Sequence, residues 1–113
     1  MRALVTGGSG AIGAAICRML AARGLQVIVH ANNRLEAAEG LAAELRAGGA
    51  TAQAVAFDVT DRIDAARALG ALVDESPIQV LVNNAGVHDD APLAGMRGEQ
   101  WDRVIDVSLN GFY

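Results

Sequence analysis

The hydrophobic positions along this chain switch repeatedly between two periods. Arg2–Thr6 is a short β-rich run, after which Ile12, Ile16, Met19 and Leu20 recur at helical spacing up to Gly24. That order predicts a strand, a glycine turn and a helix. Gln26–His30 (QVIVH) reads as a second buried strand, followed by a helix whose stripe is Leu35, Ala38, Ala42 and Leu45 and which stops at Gly48-Gly49. Asn33 and Glu36, three residues apart, have capping-box spacing at its start. Thr51–Phe57 predicts a third strand, Ile63, Ala66, Leu69 and Val73 a third helix closed by Ser76-Pro77, and Ile78–Val82 a fourth strand. Beyond a loop holding Pro92 and Gly98, the residues Trp101, Val104, Ile105, Ser108, Leu109 and Phe112 follow the spacing of a buried helical stripe, so a fourth helix is expected there.

Strands alternating with helices of this length imply βαβ units: a parallel sheet with helices on both faces, joined by right-handed crossovers. The uninterrupted apolar strands VIV and VLV fit a sheet covered on both sides. No repeat, low-complexity tract or linker interrupts the pattern, which predicts one domain. The sequence stops inside its last apolar stripe with no Gly, Asn or Pro to end a helix, so residues 1–113 are expected to be the front portion of a longer domain.

Composition narrows the function classes. Nine basic against thirteen acidic residues give a net charge of −4, which excludes a basic nucleic-acid footprint over the chain as a whole. Hydrophobic residues make up 52%, enough for one core and too much for disorder. No apolar run reaches the ~18 residues of a membrane span, and MRALVTGG lacks the order of a signal peptide, so a cytoplasmic protein with no membrane partner is expected. Cys17, the only cysteine, can form neither an internal disulfide nor a zinc site and reads as a small buried hydrophobe. All nine basic residues are arginine. Chemistry that needs a lysine amine, whether as a Schiff base or to lower a phenol's pKa, is therefore not in this segment.

The segment Thr6-Gly7-Gly8-Ser9-Gly10-Ala11-Ile12-Gly13 sits between the first strand and the first helix, where a GxGxxG pattern marks a dinucleotide site. Glycines allow the tight turn and let backbone N–H groups approach a pyrophosphate, Gly13 lets helix pack on strand, and the helix N-terminus adds partial positive charge. Gly7, Ser9, Gly10, Ile12 and Gly13 are the candidate pyrophosphate contacts, with the Ser9 hydroxyl as a further donor. A site for NAD places Asp or Glu at the end of the second strand to accept from the ribose 2′-OH. Here His30-Ala31-Asn32-Asn33-Arg34 has no acid. Asn33 and Arg34 suit a 2′-phosphate, which favours NADP over NAD. The alternative is that Asn33 is only a helix cap and Arg34 a solvated first-turn residue, although an Arg there opposes the helix dipole.

These residues resemble the short-chain dehydrogenase/reductase family over essentially all 113 positions. Asp58-Val59 at the end of the third strand looks like the family's adenine-contacting pair, and Asn83-Asn84-Ala85-Gly86 reproduces its NNAG motif. The resemblance implies Asp58 and Val59 at adenine, Asn84, Ala85 and Gly86 near the ribose, and a doubly wound Rossmann sheet with strand order 3-2-1-4. Asn84 can tie strands together through its amide. Val87–Met96 followed by WDRVIDVSLNG looks most like 3-oxoacyl-acyl-carrier-protein and acetoacetyl-CoA reductases. This implies hydride transfer from NADP to the 3-oxo group of an acyl thioester on a carrier protein or coenzyme A, and a homodimeric or homotetrameric parent.

The sequence departs from the family pattern in three places. Ala11 occupies the middle glycine of TGxxxGxG, and the resulting TGxxGxxG spacing is shared with the extended, epimerase-like branch, against which NNAG argues. Ser108 stands where the family has a catalytic Asn; its hydroxyl could face the site or bond its own i−4 carbonyl, and Asn110 is not a substitute. The family's catalytic Ser and Tyr-x-x-x-Lys lie further along than residue 113, and Tyr113 is not that Tyr because no Lys follows it. No catalytic residue and no metal site is assigned to this segment, which leaves a nucleotide-binding module without catalysis as the second reading and a sugar-nucleotide epimerase as the third. His30 and His88 read as polar loop or strand-end residues, and Asp89-Asp90 as a solvated loop pair.

Overall fold

A computed structural model describes residues 1–84 and 105–108. It contains β1 (Arg2–Thr6), α1 (Ala11–Ala22), β2 (Gln26–Ala31), α2 (Leu35–Ala47), β3 (Ala52–Ala56), α3 (Arg62–Glu75), β4 (Val80–Asn83) and β5 (Ile105–Ser108). All neighbouring strands are parallel and the sheet runs β3-β2-β1-β4-β5, so the expected doubly wound order 3-2-1-4 is present with one strand added beyond β4.

Alternation along the strands sends successive side chains to two cores. Val5, Val27, Val29 and Val82 meet Cys17 of α1 and Ala38, Leu41 and Leu45 of α2 on one face. Leu4, Ile28 and Leu81 meet Phe57, Ala65, Leu69 and Leu72 on the other, beneath α3. With both faces covered, β1 is buried at every position, as a strand at the centre of a parallel sheet must be.

The helical stripes follow the sequence expectation in part: Ile16, Leu20, Ala38, Ala42, Leu45, Leu69 and Val73 face the cores, while other members do not. In α1 the buried residues are Gly13 and Cys17, while Ile12 and Met19 are half exposed. Ile63, expected on the buried stripe of α3, is 83% exposed, while Leu69 of that stripe is buried alongside Ala65 and Leu72. Leu35 likewise faces outward, while Ala38, Ala42 and Leu45 of the expected α2 stripe are buried together with Leu41. In α1 the close approach at Gly13, where a Cβ would meet the Gly7 carbonyl at 2.2 Å, turns the Gly13–Cys17 side inward.

Helix ends also differ from expectation. Arg34, not Asn33, occupies the N-cap of α2, and it makes no side-chain capping bond. Asp61 caps α3 by accepting from the N–H groups of Ile63 and Asp64. At the other end of α3, Arg2 is buried from β1 and donates to the Leu72 carbonyl at 2.6 Å, to the Ser76 carbonyl and to Glu75 at 2.9 Å. A buried guanidinium is thereby satisfied by carbonyls at a helix C-terminus, where acceptor capacity is left over.

The helix expected over Trp101–Phe112 is not what the structure shows for its centre. Ile105–Ser108 is a strand paired with β4 in the register Val80↔Ile105 to Asn83↔Ser108. The sequence IDVS also alternates apolar and polar, with β-branched residues at the apolar positions, and β4 offers a ladder for it, beginning with Ile105 N–H to the Gln79 carbonyl at 2.8 Å. The remainder of that expected helix lies outside the described residues. So do Ala85, Gly86, His88 and Asp89-Asp90.

Candidate dinucleotide site

Parallel strands bring the C-terminal ends of β1, β2, β3 and β4 to one edge of the sheet, and the candidate residues leave from these ends. Gly7 turns the chain after β1 with φ +65°, a conformation glycine adopts without strain. The turn is then fixed by its own amides. Gly8 N–H donates to the His30 carbonyl at 2.8 Å, Gly10 N–H to the Gly7 carbonyl at 3.1 Å, and Ala14 N–H to Gly10 at 2.7 Å opens the helical ladder.

The three glycines of the GxGxxG pattern do different work. A Cβ on Gly13 would lie 2.2 Å from the Gly7 carbonyl oxygen, 2.7 Å from Gly8 Cα and 2.9 Å from Asn84 Nδ2, so the helix is pressed against the backbone of the turn itself. A Cβ on Gly8 would meet the Val5 carbonyl at 3.0 Å and Cys17 Sγ at 3.1 Å. Gly10 is different: its Cβ would meet only the Gly7 carbonyl, at an ordinary 3.5 Å. The protein's own packing does not require a glycine at position 10. What its absent side chain leaves open is the approach to the N-terminus of α1, where no side chain caps the helix and no acidic residue stands in the first turn. An anion is the group that such an end accommodates. Ser9 is half-buried and Ile12 is 53% exposed beside this opening.

Asn84 ties the turn to β4 as its position suggests. Its N–H donates to Thr6 Oγ1 at 2.8 Å and its Nδ2 reaches the Gly7 carbonyl at 3.5 Å. The Thr6 hydroxyl in turn lies 3.3 Å from the Val82 carbonyl and from Asn83 Oδ1. After β3, Asp58 accepts from the Thr60 N–H at 2.9 Å and the Thr60 hydroxyl at 2.6 Å, contacts that hold its carboxyl below the usual carboxylate range. Val59 is buried under α3, and its N–H is taken by Asn32 Oδ1 at 3.1 Å. Of that pair, Asp58 keeps the more accessible side chain. After β2, Asn33 is exposed and Arg34 is 76% exposed, its Nε 3.7 Å from Glu36 Oε1.

His30 is the residue whose role sequence reasoning missed. It lies near the end of β2, as one of the two expected placements has it, but is fully buried there. Its Nδ1 accepts from Gly7 N–H at 3.0 Å, its Nε2 lies 2.7 Å from the Phe57 carbonyl, and its ring packs on Phe57 with centroids 4.2 Å apart. Burial pushes its pKa below the ordinary value. A polar residue inside the run VIVHA is the sequence signal that could have found it.

A separate cavity of about 530 Å³ lies at the opposite edge, near the starts of β2 and β3, between Arg18, Gly24, Gln26, Glu44, Gly49 and Thr51. The exposed Arg18–Glu44 pair at 2.7 Å crosses that region. It has no part in the edge described above.

The short chain dehydrogenase family model matches residues 1–113 throughout. The chain belongs to this family. Among curated relatives it is 40% identical over 111 residues to the 3-oxoacyl-[acyl-carrier-protein] reductase FabG of Aggregatibacter actinomycetemcomitans, covering 97% of the chain and 46% of that protein. It is 42% identical over 108 residues to the short-chain dehydrogenase/reductase FrzI of a Cladobotryum species, covering 95% of the chain and 42% of that protein. The chain thus spans somewhat under half the length of these relatives. Among solved structures, a gluconate 5-dehydrogenase from Burkholderia cenocepacia in complex with NADP and tartrate superposes with a TM-score of 0.70 at 33% identity, over 89% of this chain and 40% of that one. The sheet order β3-β2-β1-β4, shared with this solved relative, is that of a Rossmann fold. Among the described residues no helix is long and apolar enough to cross a membrane, and no cluster of His, Cys, Asp and Glu could hold a metal.

Proposed function

We propose that residues 1–113 form the dinucleotide-binding part of an NADP-dependent reductase acting on the 3-oxo group of an acyl thioester. The observation that carries the cofactor half is the glycine turn: Gly13 admits the turn's backbone to 2.2 Å of where a Cβ would stand, while Gly10 leaves the uncapped N-terminus of α1 open. Gly7, Ser9, Gly10, Ile12 and Gly13 would surround the pyrophosphate, with helix-end N–H groups as donors. Arg34, with Asn33, would hold the 2′-phosphate. The end of β2 offers no carboxylate for a ribose 2′-OH, and an exposed guanidinium in its place is the reason for choosing NADP. Asp58, beside Val59, would meet the adenine, and Asn84, Ala85 and Gly86 the ribose.

When bound, the reduced nicotinamide supplies a hydride to the carbonyl carbon. These 113 residues contain no lysine, so an amine that lowers the pKa of a proton-donating phenol would come from elsewhere in the protein. The acyl thioester reading, on a carrier protein or coenzyme A, is supported by the likeness to the reductases named above. A homodimer or homotetramer in the cytoplasm, without nucleic-acid or membrane partners, completes the proposal. The test is turnover by the complete protein of NADPH with acetoacetyl thioester, followed by the loss of reduced-nicotinamide absorbance. Oxidation of NADPH dependent on the thioester is expected. No oxidation with any 3-oxoacyl thioester would remove the substrate assignment, and equal use of NADH would remove the role given to Arg34.

A further inference from the structure

Two successive amides of the glycine turn are anchored on one residue. Gly7 N–H donates to the His30 ring at 3.0 Å and Gly8 N–H to the His30 carbonyl at 2.8 Å. A peptide N–H can only donate and a carbonyl can only accept, so these partners fix the tautomer: Nδ1 carries the lone pair, and Nε2 carries the proton that it donates to the Phe57 carbonyl at 2.7 Å. The arrangement has little slack. The Gly7 carbonyl also accepts from Gly10 and lies against Gly13 and Asn84, so a change at Gly7 is passed to the residues that frame the opening at α1.

We infer that His30 is a positioning residue for the dinucleotide: its neutral ring holds the Gly7–Gly10 turn in its binding shape, and protonation sets two N–H donors against each other, opens the turn and weakens binding. The inference rests on the dinucleotide reading of the turn given above. It differs from a purely structural role because one proton on Nδ1 abolishes the bond from Gly7 N–H while leaving the Phe57 bond in place.

The charged surroundings do not oppose this. The ring's own contacts, in the turn after β1 and at Phe57 after β3, carry no charge. Asp58, next to Phe57, is engaged by Thr60. From α3, Asp61 caps its own helix, while Asp64 accepts from the Asp58 N–H and pairs with Arg67. On the other face of the sheet, Arg18 of α1 and Glu44 of α2 pair with each other, and Arg46 of α2 donates to the Ala52 carbonyl. Glu39 of α2 is exposed, and Arg34 and Glu36 are exposed beyond β2. Among the described residues, none of these carboxylates contacts the ring to stabilise its charged form. Burial accordingly shifts the titration of His30 below its ordinary value, favouring the neutral ring.

The test is the affinity of the complete protein for NADPH from about pH 7.5 to about pH 5, measured for the wild type, His30→Asn and His30→Leu. Asn offers an amide oxygen to Gly7 N–H and does not titrate. The wild type should weaken progressively as the ring is protonated, toward a limit of roughly tenfold, the scale of one lost hydrogen bond. His30→Asn should bind at about pH 7.5 and lose that part of the pH dependence, leaving only what belongs to the ligand's own phosphate. His30→Leu should bind poorly throughout. Proton NMR of the wild-type ring supplies a measurement that needs no variant: by reciprocity, saturating NADPH should lower the pKa of His30. An identical pH profile in wild type and His30→Asn, or a ring pKa unmoved by NADPH, would overturn the inference. Failure of the wild type to bind either dinucleotide at about pH 7.5 would instead overturn the reading on which it rests.

Discussion

Gly13→Ala adds one methyl group where the structure has no room for it. The new carbon would stand 2.2 Å from the Gly7 carbonyl oxygen and 2.7 Å from Gly8 Cα, against a normal contact of ~3.4 Å or more. Both obstacles are backbone, and neither moves alone. Displacing Gly7 by about an ångström strains its bond to His30 and the Asn84 contact, and moving α1 away from the sheet opens space around Cys17, which is fully buried. Overpacking of this kind costs ~1–3 kcal/mol, and an immovable backbone neighbour places the cost at the upper end. Elsewhere in a helix the same change stabilises, because alanine exceeds glycine in helix propensity by ~1 kcal/mol. Gly40 in α2 and Gly70 in α3 provide the controls, since a Cβ at either meets nothing within 4 Å. Gly40→Ala and Gly70→Ala are therefore expected to stabilise the complete protein by ~0.5–1 kcal/mol each, and Gly13→Ala to destabilise it by ~2 kcal/mol and weaken NADPH binding. Urea unfolding followed by circular dichroism, with NADPH titration alongside, reads both effects. A Gly13→Ala protein as stable as the Gly40→Ala control, with unchanged affinity, would refute the placement of α1 against the turn.

Arg34→Asp should shift preference from NADPH toward NADH by roughly tenfold to a hundredfold, the scale of one charge-assisted contact, as measured by the ratio of the two affinities. Arg2→Met leaves the Leu72 and Ser76 carbonyls without their buried donor and should cost ~1–3 kcal/mol in urea unfolding, with cofactor preference unchanged. Burial pushes the Cys17 thiol up to about 12, so iodoacetamide at about pH 8 should label it only after denaturant is added. The lowered pKa of His30 gives stability that is fully present above its unfolded value of about 6.5 and is lost as pH falls through the folded value, so the urea midpoint should drop on acidification and drop less in His30→Asn.

Much of the architecture was legible because buried parallel strands announce themselves as apolar runs. QVIVH and IQVLV lie within one or two residues of the observed β2 and β4, and the position of the glycine turn followed from the strand before it. Which side of each helix turned inward was less legible. Ile12 is large and apolar yet exposed, because the close fit of Gly13 against the turn decides the rotation of α1, and that fit depends on distances a hydropathy pattern does not contain. Asn33 and Glu36 have capping-box spacing, yet Arg34 takes the N-cap of α2, while Asp61 caps α3 without that signal, because backbone conformation rather than spacing decides which residue caps. IDVS fits a helical and a strand period equally over four residues, and the tie was broken by a partner strand twenty-odd positions earlier in the chain. His30 and Arg2 share one cause: each is a polar residue buried by contacts with distant backbone carbonyls, Phe57 for one and Leu72 for the other, which no local window can show.

The central claim is that the carboxyl edge of this sheet, from the glycine turn to Arg34, holds NADP. A crystal structure of the complete protein with NADP tests it most directly. The account predicts the pyrophosphate over Gly10 at the N-terminus of α1, with the 2′-phosphate within hydrogen-bonding distance of the Arg34 guanidinium. A dinucleotide seated at the opposite edge, between Arg18 and Thr51, or one whose 2′-phosphate lies away from Arg34, would contradict it.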